Sequence, residues 1–108
     1  MSNPMEELYQ TVLNRKAEAE AGSYTGYLFG QGLDKILKKC GEECSEVLIA
    51  AKNNDRGELI MEISDLLYHL TVLMVQKGIT VQDIAAELAK RHAKTNNLKQ
   101  FHNVDKNT

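Results

Sequence analysis

LDKILKKCGEECSEVLIAAK, residues 33–52, is the stretch that decides the fold class of this chain. Leu33, Ile36, Leu37, Cys40, Cys44, Val47, Leu48 and Ala51 return at intervals of 3-1-3-4-3-1-3, the apolar stripe of one long amphipathic helix. Gly41 lies inside it at a cost of roughly 1 kcal/mol relative to alanine, which predicts close packing or close ligand approach there. Outward from this helix, Asn53-Asn54-Asp55 reads as a tight turn with Asp55 as an N-cap. A second long helix is predicted from Arg56 to Lys77, with Leu59, Ile63, Leu66, Leu70 and Leu73 at 4-3-4-3 as its apolar stripe and Gly78 as its terminator. Thr80 and Asp83 are spaced as a capping box for a last helix that runs to about Lys94. Upstream, Asn3 and Pro4 start a helix predicted to reach Ala21, with Glu6 and Glu7 favourably placed in its first turn. Between it and Leu33, Gly22–Gly32 holds four glycines and reads as a connection with room for a short helical piece. The expectation is an all-α bundle of four to five helices in a single domain over residues 1–95, followed by a loose polar tail, 96–108.

Composition agrees. With 108 residues, 43% hydrophobic and 26% charged, the chain fits one globular domain with a modest core, and a single proline speaks for helix over sheet. Thirteen Lys+Arg against fifteen Asp+Glu give a net charge of −2, which argues against a nucleic-acid binder and against a basic membrane-surface segment. There is no apolar run of membrane-spanning length and no signal-peptide pattern at the N-terminus, so the expected compartment is the cytoplasm. Cys40 and Cys44 share the apolar face of one helix, poorly placed to bridge each other and without further ligands for zinc; both read as small core residues.

The acids carry the chemistry. Glu42, Glu43 and Glu46 form E-E-x-x-E, and about 100° per residue puts Glu42 and Glu46 on one face. On the next helix Glu58, Glu62, Asp65 and His69 follow at 4, 3 and 4, a polar stripe beside the leucines. Like charges four apart each cost a helix roughly 0.2–0.5 kcal/mol. Two readings answer that cost. The acids form solvated faces, or the antiparallel helices bring them together around a hard divalent cation, Mg²⁺ being the common cytoplasmic choice. His69, in line with Glu62 and Asp65, is either a structural histidine or a hydrogen-bond partner of that group. Neither helix has the Glu-x-x-His pair of di-iron bundles, which disfavours redox chemistry.

Lys39-Cys40-Gly41-Glu42-Glu43-Cys44-Ser45-Glu46, then Glu62-Ile63-Ser64-Asp65 and Leu67-Tyr68-His69, resembles phosphoribosyl-ATP pyrophosphohydrolase, of the all-α nucleoside triphosphate pyrophosphohydrolases that include MazG-like proteins. E-E-x-x-E followed by E-x-x-D marks the superfamily. Ser23-Tyr24-Thr25, Ile49-Ala50-Ala51, Tyr68-His69 and Arg91-His92 narrow the likeness, which covers about residues 5–93. One departure is Tyr27, where relatives often carry a basic residue two places after Ser-Tyr-Thr. The chain is too short to include the cyclohydrolase of the next pathway step, to which some relatives are fused.

The resemblance implies hydrolysis of phosphoribosyl-ATP to phosphoribosyl-AMP and pyrophosphate, the second step of histidine biosynthesis, with Mg²⁺ as cofactor. A general house-cleaning nucleoside triphosphate pyrophosphohydrolase is the alternative. It further implies Glu42, Glu46, Glu62 and Asp65 as metal ligands, and Glu43 and Glu46 as catalytic residues, Glu43 by ligating the metal or orienting water. Lys38, Lys39, Ser23, Tyr24, Thr25 and His69 are implied as substrate contacts, and a homodimer as the assembly, with no nucleic-acid or membrane partner.

Overall fold

Most helices of the chain start on a side chain that holds an otherwise unpaired backbone amide; the helix that begins at Leu33, behind Gly32, has no such cap. A computed structural model describes residues 3–18 and 22–94. Among these residues all regular structure is helical: α1 (Pro4–Glu18), α2 (Tyr24–Gln31), α3 (Leu33–Lys52), α4 (Arg56–Lys77) and α5 (Val81–His92). Asn3 Oδ1 accepts from the Met5 amide at 2.8 Å. Asp55 Oδ1 accepts from the Glu58 amide at 3.1 Å. Thr80 and Asp83 close the predicted capping box, at 3.1 and 2.9 Å. The predicted bounds of α3 and α4 hold to the residue. Asn54 takes the left-handed conformation, φ 61°, that reverses the chain between them. The predicted end of α1 at Ala21 and the predicted tail 96–108 lie outside the described residues.

The segment read as a connection is largely helix. Ser23 accepts from the Gly26 amide at 3.2 Å and so caps α2. Eight residues are too few for a helix that stands alone. Thr25 and Leu28, both buried, tie α2 to the bundle. Gly22 and Gly32, with φ of 92° and 94°, make the two bends that bracket it.

α3 and α4 run against each other along most of their length, α1 and α2 close one side of that pair, and α5 touches only α1. Gln82 on α5 is hydrogen-bonded to Glu6 on α1. The core is Val12, Leu28, Ile36, Cys40, Val72 and Val75, with Leu8, Tyr9, Phe29, Tyr68 and Leu73 packed around it.

Three expectations are corrected here. Cys44 is exposed, whereas Cys40 is buried. Gly41 has open space where a side chain would begin, so of its two readings close packing falls. Finally, the leucine stripes are only partly covered: Leu37, Leu48, Ile63 and Leu70 are exposed. The buried residues of α3 are Ile36, Cys40, Glu43 and Ala50, and those of α4 are His69, Thr71, Val72 and Val75. α4 therefore turns the line Glu62, Asp65, His69, Val72 toward α3, and its leucines flank that line because no described helix lies on their side.

α4 ends at Gly78, φ 71°, with the Ile79 amide bonded back to the Met74 carbonyl at 2.8 Å. Space for a methyl group is free there, so Gly78→Ala meets only the left-handed backbone. It is expected to lower stability by about 1–2 kcal/mol, read as a lower urea midpoint with an unchanged slope.

Candidate functional site

α3 carries three glutamates within five residues, and helix phase sends them in different directions. Glu43 falls in register with Ile36, Cys40 and Ala50 and is buried, 7% exposed. Glu42, about 100° further round, stays outside and pairs with Lys39 Nζ at 3.1 Å. Its carboxyl is held below the usual range by that hydrogen bond. From α4, Glu62 and Asp65 come to meet Glu43: one oxygen from each of these three side chains lies within 4.8 Å of the others. Glu46, one turn beyond Glu43 on α3, stands near enough to raise the proton affinity of both Glu43 and Glu62. The structure therefore brings together Glu43, Glu46, Glu62 and Asp65 of the implied residues and leaves Glu42 outside the group.

Such a group resists full ionisation. Glu62 is pushed up to about 7, first by its hydrogen bond with Glu46, then by burial and by the charges of Glu46, Glu43 and Asp65. Glu43 is raised as well, chiefly by burial and next by Glu46. A hydrogen bond between two carboxyl groups needs a proton on one of them. When all four are ionised, the buried Glu43 Oε2 has no donor.

Behind the acids, His69 is 5% exposed and both ring nitrogens are engaged. Nδ1 donates to the Asp65 carbonyl at 2.8 Å and lies 4.0 Å from Glu43 Oε1. Nε2 is hydrogen-bonded to the Tyr24 hydroxyl at 2.9 Å. The Cys40 thiol approaches the His69 carbonyl at 3.5 Å. Thr25 is buried and hydrogen-bonded to the Tyr68 hydroxyl. Ser23 is occupied in capping α2. Of the residues implied as substrate contacts, Tyr24, Lys38 and Lys39 retain accessible surface, while Thr25 and His69 hold α2 against α4.

Comparison with known proteins meets this geometry at its centre. The family model for phosphoribosyl-ATP pyrophosphohydrolase matches residues 5–92, which contain all four converging carboxylates. The chain belongs to that family. It is 54% identical over 99 residues to the phosphoribosyl-ATP pyrophosphatase of Lacticaseibacillus casei (strain BL23), covering 92% of this chain and 90% of that protein. It is 56% identical over 98 residues to the phosphoribosyl-ATP pyrophosphatase of Clostridium botulinum (strain Hall), covering 91% of this chain and 89% of that one. It is also 50% identical over 101 residues to the histidine biosynthesis bifunctional protein HisIE of Lactococcus lactis subsp. lactis, covering 94% of this chain and 48% of that protein, so it spans about half that relative's length. The stretch shared with the phosphoribosyl-ATP pyrophosphohydrolase family thus runs through α1 to α5 and includes the Tyr24–His69 contact between α2 and α4.

Sequence reasoning gave Glu43 a weaker part than the structure does. The signal was present: Glu43 continues the 4-3-4-3 line of Ile36, Cys40, Val47 and Ala50, so it stands on the face that α3 buries.

Proposed function

We propose that the chain hydrolyses phosphoribosyl-ATP to phosphoribosyl-AMP and pyrophosphate in the cytoplasm, and that Mg²⁺ is held by Glu43, Glu46, Glu62 and Asp65. The observation that carries the metal reading is the buried, donorless Glu43 Oε2 among converging carboxylates. Oxygens on opposite sides of one Mg²⁺ are about 4.2 Å apart, near the spacing already present, and all-oxygen ligands are what a hard cation takes. The residues therefore fit the group. When bound, Mg²⁺ would neutralise charge on the phosphate chain and activate water for attack on the α–β phosphoanhydride.

The chain's own groups divide the remaining work. The carboxylates supply negative charge that rejects a bare polyphosphate and accepts one presented with its cation. Asp65 is fixed through its carbonyl to His69, which keeps its turn of α4 in place. Lys39 stands at the rim on Glu42, with its ammonium form strengthened by that hydrogen bond, and Lys38 is exposed beside it. Growth of a strain lacking this biosynthetic step, on medium without histidine and with this gene supplied, is the expected result in vivo. No growth despite soluble expression would count against the reading.

The shared proton gives a pH prediction. Glu62 binds a proton more tightly in the folded than in the unfolded chain, about 7 against 4.5. Its contribution favours the folded state below the unfolded value and is lost as pH rises through about 7. The melting temperature of protein kept in chelator should therefore fall between pH 5 and pH 8. Added Mg²⁺ should restore it most at the upper end, where the proton has already left. An equal Mg²⁺ effect at both ends would refute the shared-proton description.

The proposed assembly is a homodimer. Leu48 on α3, Ile60, Met61 and Leu67 on α4, and Leu88 on α5 are exposed, with Leu48 at 70%. Apolar side chains of this size and number are what a second copy would cover. Sedimentation at micromolar concentration should give twice the chain mass; a single-chain mass would exclude the dimer.

A further inference from the structure

α2 spends two of its eight residues, Thr25 and Leu28, on the core and presents two aromatic rings outward. Tyr24 and Tyr27, one turn apart, are 44% and 47% exposed. Their ring centroids are 6.2 Å apart with planes 25° from parallel. Tyr24 also lies 6.1 Å from Tyr68, at 28°. The row Tyr68, Tyr24, Tyr27 thus leads from the edge of the core to the surface, and His69, which Tyr24 touches, lies 4.0 Å from Glu43. Its middle ring is pinned by the hydroxyl contact to His69. At its outer end the Lys35 ammonium stands 5.9 Å from the Tyr27 ring centre. Lys39 is one turn further along the same face of α3. Half-exposed rings, aligned and flanked by cations, suit a flat heterocycle carrying phosphates.

We propose that Tyr24 and Tyr27 seat the purine base of the substrate, with Lys35 and Lys39 beside its phosphate chain. The inference rests on the reading of the site as one that acts on an adenine nucleotide. A fused purine covers more ring surface than a pyrimidine, so the seat prefers AMP to CMP, whereas a grip on phosphate and metal alone treats them equally.

The test is equilibrium binding of AMP and of CMP to the full chain in Mg²⁺, by calorimetry, for the parent, Tyr27→Leu and Tyr27→Phe. Tyr27 is on the surface, so folding is not at stake, and circular dichroism checks it. The parent is expected to bind AMP severalfold more tightly than CMP. Tyr27→Leu should weaken AMP by roughly 5- to 150-fold, the range for loss of base stacking, and erase the preference. Tyr27→Phe keeps the ring and should keep the preference. With phosphoribosyl-ATP, Tyr27→Leu should raise KM far more than it changes kcat. Equal binding of AMP and CMP by the parent, or a preference that survives Tyr27→Leu, would overturn the seat. So would a changed mass in solution for Tyr27→Leu, which would assign the rings to contact between subunits. A parent that prefers AMP yet leaves phosphoribosyl-ATP intact would sink the proposed reaction and leave the seat standing.

Discussion

Glu62→Gln is expected to lower turnover of phosphoribosyl-ATP by on the order of 10²–10³-fold while raising the melting temperature of the metal-free protein at pH 8. The two effects have one cause. Glu62 faces Glu46, Glu43 and Asp65, and each of them raises its proton affinity. At pH 8 that crowding is uncompensated charge repulsion, and an uncharged amide of the same shape relieves it. The same change removes an anionic oxygen from the group whose ligand atoms lie within 4.8 Å, so Mg²⁺ is held less well and the phosphate chain loses its counter-charge. The measurement pairs steady-state kinetics with thermal melts in chelator. Glu58→Gln, one turn earlier on α4 and exposed, removes the same charge outside the group and should do neither. A Glu62→Gln protein that melts lower and turns over normally would show that these acids are only a solvated face.

Leu28→Ala should cost about 2–5 kcal/mol, a large part of the roughly 5–15 kcal/mol that holds a domain of this size. Leu28 is fully buried and belongs to the same core cluster as Val12, Ile36 and Val72. Removing its outer carbons leaves a cavity that rigid α3 and α4 cannot close. The effect reaches the site because Leu28 is the fully buried large side chain of α2, with Phe29 packing only on the edge of the core. With Leu28 truncated, Tyr24 loses its fixed approach to His69 and Thr25 its place at Tyr68. Urea denaturation should show a lower midpoint at constant slope, and at temperatures where the protein stays folded KM should rise more than kcat falls. A midpoint unchanged from the parent would mean that α2 is not held through this residue.

These expectations use features that were unequally legible in the sequence. α3 and α4 could be bounded to the residue because their ends are set locally, by Asp55 accepting from Glu58 and by Gly78 in the left-handed region. α2 was hidden because its own composition, with Gly26 and Gly30 inside, favours helix weakly; Leu28 and the Ser23 cap decide it, and the first is a tertiary effect. Periodicity revealed the leucine stripes but not what they face: α1 and α2 cover one side of the α3–α4 pair, which leaves Ile63 and Leu70 in the open. For the site, intervals of three and four showed that Glu62, Asp65 and His69 share a face. They put Glu43 in line with Ile36, Cys40 and Ala50, but only the packing of α3 shows that this line, and not that of Leu37 and Leu48, is the buried one. The pairing of Lys39 with Glu42 is likewise a matter of side-chain reach.

The most direct test is phosphorus-31 NMR of phosphoribosyl-ATP incubated with the purified chain and Mg²⁺. The prediction is equimolar phosphoribosyl-AMP and pyrophosphate, with the reaction stopped by chelator and faster than on ordinary nucleoside triphosphates. Release of orthophosphate, or a folded protein in Mg²⁺ that leaves the substrate intact, would contradict the assignment.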